Sequence, residues 1–231
     1  MSATPPHRTR LKVCCIKSVA EAALAVFYGA DAVGFVAAMP SGAGPIPDVL
    51  IAEIAATVPP PVATFLLTRE TDVAAIVDHV RRTRPSTVQL VDERAVPAHA
   101  ELRVALPGVR IVQVIHVEDG TAIDRAVDAA RTADALLLDS GRPSLDVPEF
   151  GGTGRVHDWS VSRAIVEAAL VPVFLAGGLT PDNVVDAMEH VRPYGLDLCS
   201  GLRRAGVLDE ALLARFADGV AAADRSVRGG L

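Results

Sequence analysis

The stretch ALLLDSGRPSLDVPEFGGTGRVHDW, residues 135–159, indicates how this chain folds and where its chemistry lies. Its first four residues are apolar and predict a short buried strand. Asp139 follows directly, where the strand meets a loop of proline, glycine and charged residues. A carboxylate at the carboxyl end of a buried parallel strand, beside a glycine-rich loop, is typical of active sites in α/β proteins. An aspartate at such a place also caps turns, so its role depends on the rest of the chain.

The composition favours one large domain with a parallel sheet. The chain has 231 residues, of which 50% are hydrophobic and only 4% aromatic. Its core must therefore be built from Ala, Val, Leu and Ile, as in sheets flanked by helices. A net charge of −6 without a basic run predicts that nucleic acid is not the main partner. No apolar run approaches the ~18 residues that span a membrane, and residues 1–10 lack the apolar core of a signal peptide.

The three cysteines are Cys14, Cys15 and Cys199. An odd number without metal-ligand spacing predicts free thiols in a reducing cytosol rather than a disulfide framework. We therefore expect a cytoplasmic protein with no metal site and no membrane partner.

Apolar runs alternate with helical patterns along almost the whole chain. We expect eight strands, at residues 11–16, 32–36, 62–67, 87–90, 111–115, 135–138, 173–176 and 196–199. Helices are expected after Ser18 to residue 28, then at 48–57, 71–82, 96–106, 121–131, 160–169, from 181, and at 208–223. Eight such units favour a single (β/α)8 TIM barrel over an open, doubly wound sheet. The barrel is expected to span residues 11–225, between flexible ends at 1–10 and 226–231.

In a barrel of this kind, function lies where the strands end. Gly177-Gly178 follows the seventh strand, and Ser200-Gly201 follows the eighth. Main-chain N–H groups at these two places commonly bind a phosphate. Glycine also occurs in any tight turn, so the prediction of a phosphate site rests on finding two such loops on neighbouring strands.

The first strand carries a lysine and two cysteines. Strand alternation puts Lys12 and Cys14 on one face, which we expect to be the barrel interior, and Cys15 on the opposite face against a helix. A cysteine near a cation can act as a base or nucleophile, whereas a buried cysteine is otherwise a small hydrophobe. Asp197 lies within the eighth strand and needs a partner or a ligand, because a buried unpaired carboxylate is costly.

The histidines carry less information. His157 is expected to be a solvated loop residue. His79, His99 and His190 fall in helical runs and are expected at the surface.

Five segments in order resemble the phosphoribosylanthranilate isomerases of tryptophan biosynthesis. They are KVCCI at 12–16, GADAVGFV at 29–36, LLDS at 137–140 with GGTGRVHDW at 151–159, AGGLTPDNV at 176–184, and RPYGLDLCSG at 192–201. Each segment alone is weak, but the ordered set is specific to this family.

The resemblance implies an Amadori rearrangement of a phosphorylated sugar amine, without a metal or an organic cofactor. Asp139 would protonate the ribose ring oxygen, and Cys14 would remove the C2′ proton. Further substrate contacts are assigned to Lys12, Gly152 and Asp197. The phosphate contacts are assigned to Gly177, Gly178, Ser200 and Gly201. The only expected partner is the small sugar-phosphate substrate, bound by a monomer or a homodimer.

The chain departs from the family pattern at the end that would hold the aromatic acid. The family has an arginine for the anthranilate carboxylate after the second strand, but residues 41–47 contain none. Cys15 stands where the family has glycine, and Cys199 where it has serine. Three arginines are possible substitutes for the missing one: Arg142, Arg203 and Arg204. Two other hypotheses remain open: an isomerase for a different N-phosphoribosyl amine, and a phosphate-binding barrel without turnover.

Overall fold

Eight parallel strands form a closed barrel in the computed structural model, which describes residues 8–39, 44–142 and 156–229, with side chains to residue 226. The strands are β1 (Arg10–Val13), β2 (Ala32–Val36), β3 (Ala63–Thr68), β4 (Thr87–Leu90), β5 (Arg110–His116), β6 (Ala135–Asp139), β7 (Val173–Leu175) and β8 (Gly195–Leu198). Each strand pairs with its neighbours in chain order, and β1 also pairs with β8. The expected (β/α)8 barrel is therefore confirmed, and the open sheet is excluded.

The helices that follow the strands cover the outside of the barrel. They are α1 (Val19–Phe27), α2 (Asp48–Ala55), α3 (Val73–Thr83), α4 (His99–Ala105), α5 (Ala122–Ala130), α6 (Trp159–Ala168), α7 (Val184–Val191) and α8 (Glu210–Gly229). The start of α1 shows how sequence fixes a boundary. Ser18 accepts a hydrogen bond from the Glu21 N–H at 3.1 Å, and the Glu21 carboxylate accepts one from the Lys17 N–H at 2.9 Å. One unpaired N–H of the first helical turn and the N–H of the residue before the cap are thus satisfied.

Two apolar layers follow from strand alternation. Residues such as Val33 and Leu66 point outward and pack with Ile51 and Ile54 of α2 into the layer between sheet and helices. The other face fills the barrel interior with mostly small residues. Its largest members include Phe65 and Phe174, whose rings meet edge to face at 6.3 Å between centroids. The lower interior is therefore a packed core, and the polar side chains lie nearer the carboxyl ends of the strands.

Several boundaries differ from those expected. Strand β1 ends at Val13 rather than at residue 16, and α7 begins at Val184 rather than at residue 181. Pro97 falls in a 3-10 turn, Glu93–Ala98, so the α-helical part of the expected helix at 96–106 is only α4.

A small hairpin after β8 was not foreseen. It joins β9 (Arg203–Arg204) to β10 (Val207–Leu208) through Ala205 and Gly206, which both have positive φ. Such two-residue turns favour Asn-Gly or Asp-Gly, so Ala-Gly gives a weak signal.

Among the described helices, none is long and apolar enough to cross a membrane.

Candidate active site

Lys12 and Asp197 form a buried ion pair inside the barrel. They are register partners on β1 and β8, and Lys12 Nζ lies 2.8 Å from Asp197 Oδ2. Burial lowers the pKa of Lys12, but Asp197 and Cys14 together outweigh it, so the pKa lies above its ordinary value. Gly34 on β2 makes room for the lysine, because a Cβ there would lie 3.1 Å from Nζ. The partner expected for Asp197 is thus Lys12, and the interior position expected for Lys12 is confirmed.

Cys14 lies directly after β1, beside this pair. Its side chain is buried in the barrel interior, and a Cβ on Gly34 would approach Sγ to 2.8 Å. Burial raises the pKa of the Cys14 thiol to about 11, although Lys12 acts in the opposite direction. The resting group is therefore a thiol, and its thiolate is a strong base that Lys12 favours.

The reactivity of Cys14 should follow this pKa. With a pKa of about 11, roughly one part in ten thousand is thiolate at pH 7, and the fraction rises about tenfold per pH unit. Iodoacetamide should therefore modify Cys14 slowly in the native protein, with a rate that climbs about tenfold per unit from pH 7 to 10. Mass spectrometry of quenched samples measures the rate, with Cys14→Ser as the control. A rate that levels off below pH 9 would show that the thiol ionises more easily.

Asp139 ends β6 and is partly exposed at the barrel mouth. Its Oδ1 accepts a hydrogen bond from the Ser140 N–H at 2.7 Å. Burial raises its pKa, with His116 opposing this effect. A raised pKa keeps more of the carboxyl group protonated, as a general acid requires. Lys12 and Asp197 also act electrostatically on Asp139, so the structure brings these predicted residues into one site.

His116 is a neighbour of the site that the sequence did not reveal. It lies opposite Asp139 in the β5–β6 register, is fully buried, and donates from Nε2 to the Val91 carbonyl at 2.8 Å. The expected strand ended at Ile115. His116 comes one position later and pairs with Asp139 of the next strand, and this was the sequence feature that could have indicated its role.

Gln89 on β4 also carries a polar group among the interior residues. It is 2% exposed, and its Oε1 accepts no hydrogen bond within the part of the chain that the structure describes. Its register partners are Leu67 and Val112, which both face the barrel interior. A ligand hydroxyl there would satisfy an oxygen that is otherwise costly to bury.

Two loops beside β7 and β8 present main-chain donors. Among the described residues, these loops contain four N–H groups that donate no backbone hydrogen bond outside the regular helices and strands: those of Gly177, Gly178, Ser200 and Gly201. The loops lie against each other, since a Cβ on Gly201 would fall 2.0 Å from the Leu179 carbonyl oxygen. Free N–H groups on two adjacent loops form a cradle suited to an anion.

Cys15 does not pack outward against a helix as expected. It forms a disulfide with Cys199, with the two Cα atoms 5.7 Å apart. The expectation of three free thiols is therefore wrong, and only Cys14 is free. The strand ends at Val13, and Cys15 has a φ of 61°, so the alternation of β1 does not extend to it. Barrel closure then places it beside Cys199, which directly follows β8.

The expectations for three histidines were wrong. His79 is buried between Thr68 Oγ1 and Asp48, at 3.1 Å from each. His99 is fully buried against Thr132 and Gln113. His157 is half-buried, with Nε2 2.6 Å from Ser162 Oγ, and burial lowers its pKa to about 4.

His190 is exposed, as expected. Gly152 and residues 41–43 lie outside the described residues.

Two of the three candidate arginines are already paired. Arg203 donates to Glu21 Oε1 at 2.9 Å and to Oε2 at 3.0 Å, and it also bonds the Cys15 carbonyl. Arg204 lies 2.9 Å from Asp209. Arg142 is exposed three residues after Asp139. Arg203 and Arg204 are therefore poor candidates for a ligand carboxylate.

Taken together, the barrel and its mouth define a (β/α)8 enzyme of the acid–base type. A protonatable carboxyl group and a thiol lie near a buried ion pair, and an anion cradle lies to one side. This arrangement suits proton transfers on a small phosphorylated molecule.

Comparison with known proteins identifies the family. The sequence profile of N-(5'-phosphoribosyl)anthranilate (PRA) isomerase matches residues 11–219. The chain is 40% identical over 199 residues to the N-(5'-phosphoribosyl)anthranilate isomerase of Haloferax volcanii, covering 86% of each chain. It is 36% identical over 194 residues to that of Methanocella arvoryzae, covering 84% of this chain and 89% of that one.

Solved structures agree with this relationship. The phosphoribosyl anthranilate isomerase of Thermotoga maritima superposes with a TM-score of 0.79 at 26% identity, covering 93% of this chain and 99% of that chain. That of Thermococcus kodakaraensis gives 0.76 at 28% identity, covering 92% and 98%. The chain belongs to the PRA isomerase family. It is thus an intramolecular aldose–ketose isomerase of tryptophan biosynthesis.

Proposed function

We propose that this chain rearranges N-(5'-phosphoribosyl)anthranilate through Asp139 as the acid and Cys14 as the base. Asp139 protonates the ribose ring oxygen, the C1′–O bond breaks, and the amine nitrogen supplies electrons to form a Schiff base. Cys14 as thiolate removes the C2′ proton, which gives an enolamine. Protonation at C1′ and loss of the C2′ hydroxyl proton then yield the 1-deoxyribulose product.

The observation that carries this proposal is the position of the two groups at the same end of the barrel. Asp139 ends β6 and Cys14 follows β1, so acid and base approach a bound sugar from different sides. Positioned acid–base groups contribute roughly 10²–10⁴-fold each. Lys12 lies beside Cys14 and favours its thiolate, while Asp197 fixes the lysine in place. We assign both to positioning as well as to substrate contact.

The phosphate belongs in the cradle of Gly177, Gly178, Ser200 and Gly201. Four main-chain donors suit three phosphate oxygens, and they avoid the need for a cation at this end of the site. A phosphate bound there directs the rest of the substrate across the barrel mouth, towards the carboxyl ends of β2, β3 and β4.

A steady-state assay with N-(5'-phosphoribosyl)anthranilate tests the function. Turnover by the wild type that is absent from Cys14→Ala supports the proposed function. Turnover of only another N-phosphoribosyl amine would favour the alternative substrate. Tight binding of sugar phosphates without any product would favour the non-catalytic barrel.

The anthranilate carboxylate needs a cation, and we assign Arg69 to it. Arg69 follows β3, which lies across the barrel from β7 and its phosphate loop. Phe65 and Leu67 of β3 face the interior, so continued alternation turns Arg69 towards the barrel mouth. It is exposed, and it forms no ion pair with any residue in the described ranges. Arg142, by contrast, follows β6, next to the phosphate side.

Replacing Arg69 with glutamine should therefore weaken substrate binding. An arginine–carboxylate contact is worth about 1.5–3 kcal/mol, so KM should rise about ten- to a hundredfold while kcat changes little. Arg142→Gln is the matched control and should leave KM within about threefold. The phosphoribosyl derivative of aniline lacks the carboxylate, so wild type and Arg69→Gln should bind it equally. A raised KM in Arg142→Gln alone would transfer the role to Arg142.

We also propose a cytoplasmic location for this biosynthetic enzyme.

Each chain should hold a complete site. All the residues assigned above belong to one chain, so we propose that a monomer suffices for activity. A related isomerase from Thermotoga maritima is described as dimeric. A homodimer of this chain would carry two such sites. Sedimentation equilibrium at assay concentration distinguishes the two states.

A further inference from the structure

The Cys15–Cys199 disulfide joins two parts of the site that act on different ends of the substrate. Cys15 follows the proposed base Cys14, and Cys199 precedes Ser200 of the phosphate cradle. The bond spans a sequence separation of 184 residues and links the carboxyl ends of β1 and β8. It therefore couples the position of the base to the position of the phosphate loop.

The backbone conformation of Cys15 explains why the disulfide should affect the site. Its φ of 61° lies in the left-handed region that favours glycine, so a side chain there is disfavoured without compensation. The disulfide offsets this cost because it holds the Cys15 Sγ in place. Further support comes from Arg203, which donates to the Cys15 carbonyl, and from the Ile16 N–H, which donates to the Gly34 carbonyl at 3.0 Å.

The bond is also within reach of solvent. Cys199 is partly exposed at the barrel mouth, whereas Cys15 is 8% exposed. The loop after β2 lies against Cys15, since a Cβ on Gly44 would be 3.2 Å from Cys15 Sγ. Because Cys199 is the more exposed residue of the two, we place the attack of a reductant on its sulfur.

We propose that Cys15 and Cys199 form a redox site, at which a dithiol reductant opens the disulfide and weakens binding of the phosphorylated substrate. The inference rests on the proposed function and on a cytoplasmic location, where persistent disulfides are rare and those that form are usually transient or redox-sensing.

Reduction of the disulfide takes two electrons from the dithiol. A thiolate of the dithiol attacks Cys199 Sγ, the bond to Cys15 breaks, and Cys15 leaves as a thiolate that takes up a proton. The second thiol of the reductant then attacks the mixed disulfide. The reductant departs as a cyclic disulfide, having given two electrons, and Cys199 remains as a thiol.

Reduction releases Cys15 from the left-handed conformation, and the resulting change in the backbone displaces the base relative to the phosphate loop. We expect the affinity for reduced 1-(o-carboxyphenylamino)-1-deoxyribulose 5-phosphate, a product analogue, to fall about fivefold or more. This is the factor by which a left-handed backbone disfavours a side chain. KM should rise by a similar factor, with a smaller change in kcat.

Thiol counting establishes the state of the bond. The protein is equilibrated with oxidised or reduced dithiothreitol, denatured with N-ethylmaleimide and weighed by mass spectrometry. The oxidised protein should gain one adduct, at Cys14, and the reduced protein three. Three adducts after full oxidation would overturn the proposal, because the two cysteines would then not pair.

Two variants separate the redox effect from a general loss of stability. Cys199→Ser leaves Cys15 without its partner and should bind the analogue as weakly as reduced wild type in either buffer. Cys15→Gly/Cys199→Ser replaces the strained residue and should bind as tightly as oxidised wild type in either buffer. Equal affinity of oxidised and reduced wild type would refute the proposal. Because calorimetry with the analogue requires no turnover, this result is distinct from a failure of the proposed reaction.

Discussion

Replacing Asp139 with asparagine is expected to lower kcat by roughly 10²–10⁴-fold, the contribution of a positioned general acid. The amide retains the shape of the side chain and an oxygen that can accept from the Ser140 N–H, which now lies 2.7 Å from Oδ1. It cannot deliver a proton to the ring oxygen of the sugar. The variant should therefore fold normally and bind the reduced product analogue within about threefold of wild type.

The matched control is Asp92→Asn. Asp92 follows β4 on the same face of the barrel, and its Oδ2 is engaged by Arg94 at 2.6 Å. It has no role in the proposed proton transfers, so kcat should stay within about threefold. If Asp139→Asn retained the wild-type kcat, the acid would have to be another group, and His116 would be the nearest alternative.

The barrel could be predicted from the sequence because each of its signals is local. Apolar strands, the Ser18 cap and the glycines after β7 are recognisable within a few residues of one another. Asp139 and the glycine loops after β7 and β8 could be located for the same reason, since position at a strand end already defines the face of the barrel on which they lie.

The parts that could not be predicted depend on contacts between remote residues. Cys15 meets Cys199 only because the barrel closes and because β1 ends two residues before Cys15. Helical periodicity could not tell that His79 has Asp48 as a partner, or that His99 has Gln113. Each buried imidazole is made tolerable by a group from another element, which no local pattern contains.

Replacing Lys12 with methionine is expected to lower the free energy of unfolding by about 3–5 kcal/mol, as when one member of a buried ion pair is removed. Lys12 is fully buried and Asp197 is 7% exposed. Without the lysine, Asp197 must either remain charged without its partner or take up a proton. Urea titration at constant redox state measures the loss.

A second replacement distinguishes the structural role of the pair from its catalytic role. Lys12→Met/Asp197→Asn contains no buried charge at this place, so it should recover at least half of the lost stability. It should not recover activity, because Lys12 lowers the pKa of the Cys14 thiol and that influence is absent from both variants. Asp197 raises the same pKa, but Lys12 has the larger effect, so kcat/KM should remain below wild type even when both are replaced. Wild-type kcat/KM in the double variant would mean that the ion pair only stabilises the barrel. Low stability in the double variant would instead mean that the crowded space beside Gly34 does not accept methionine, and Lys12→Gln would then replace it in the comparison.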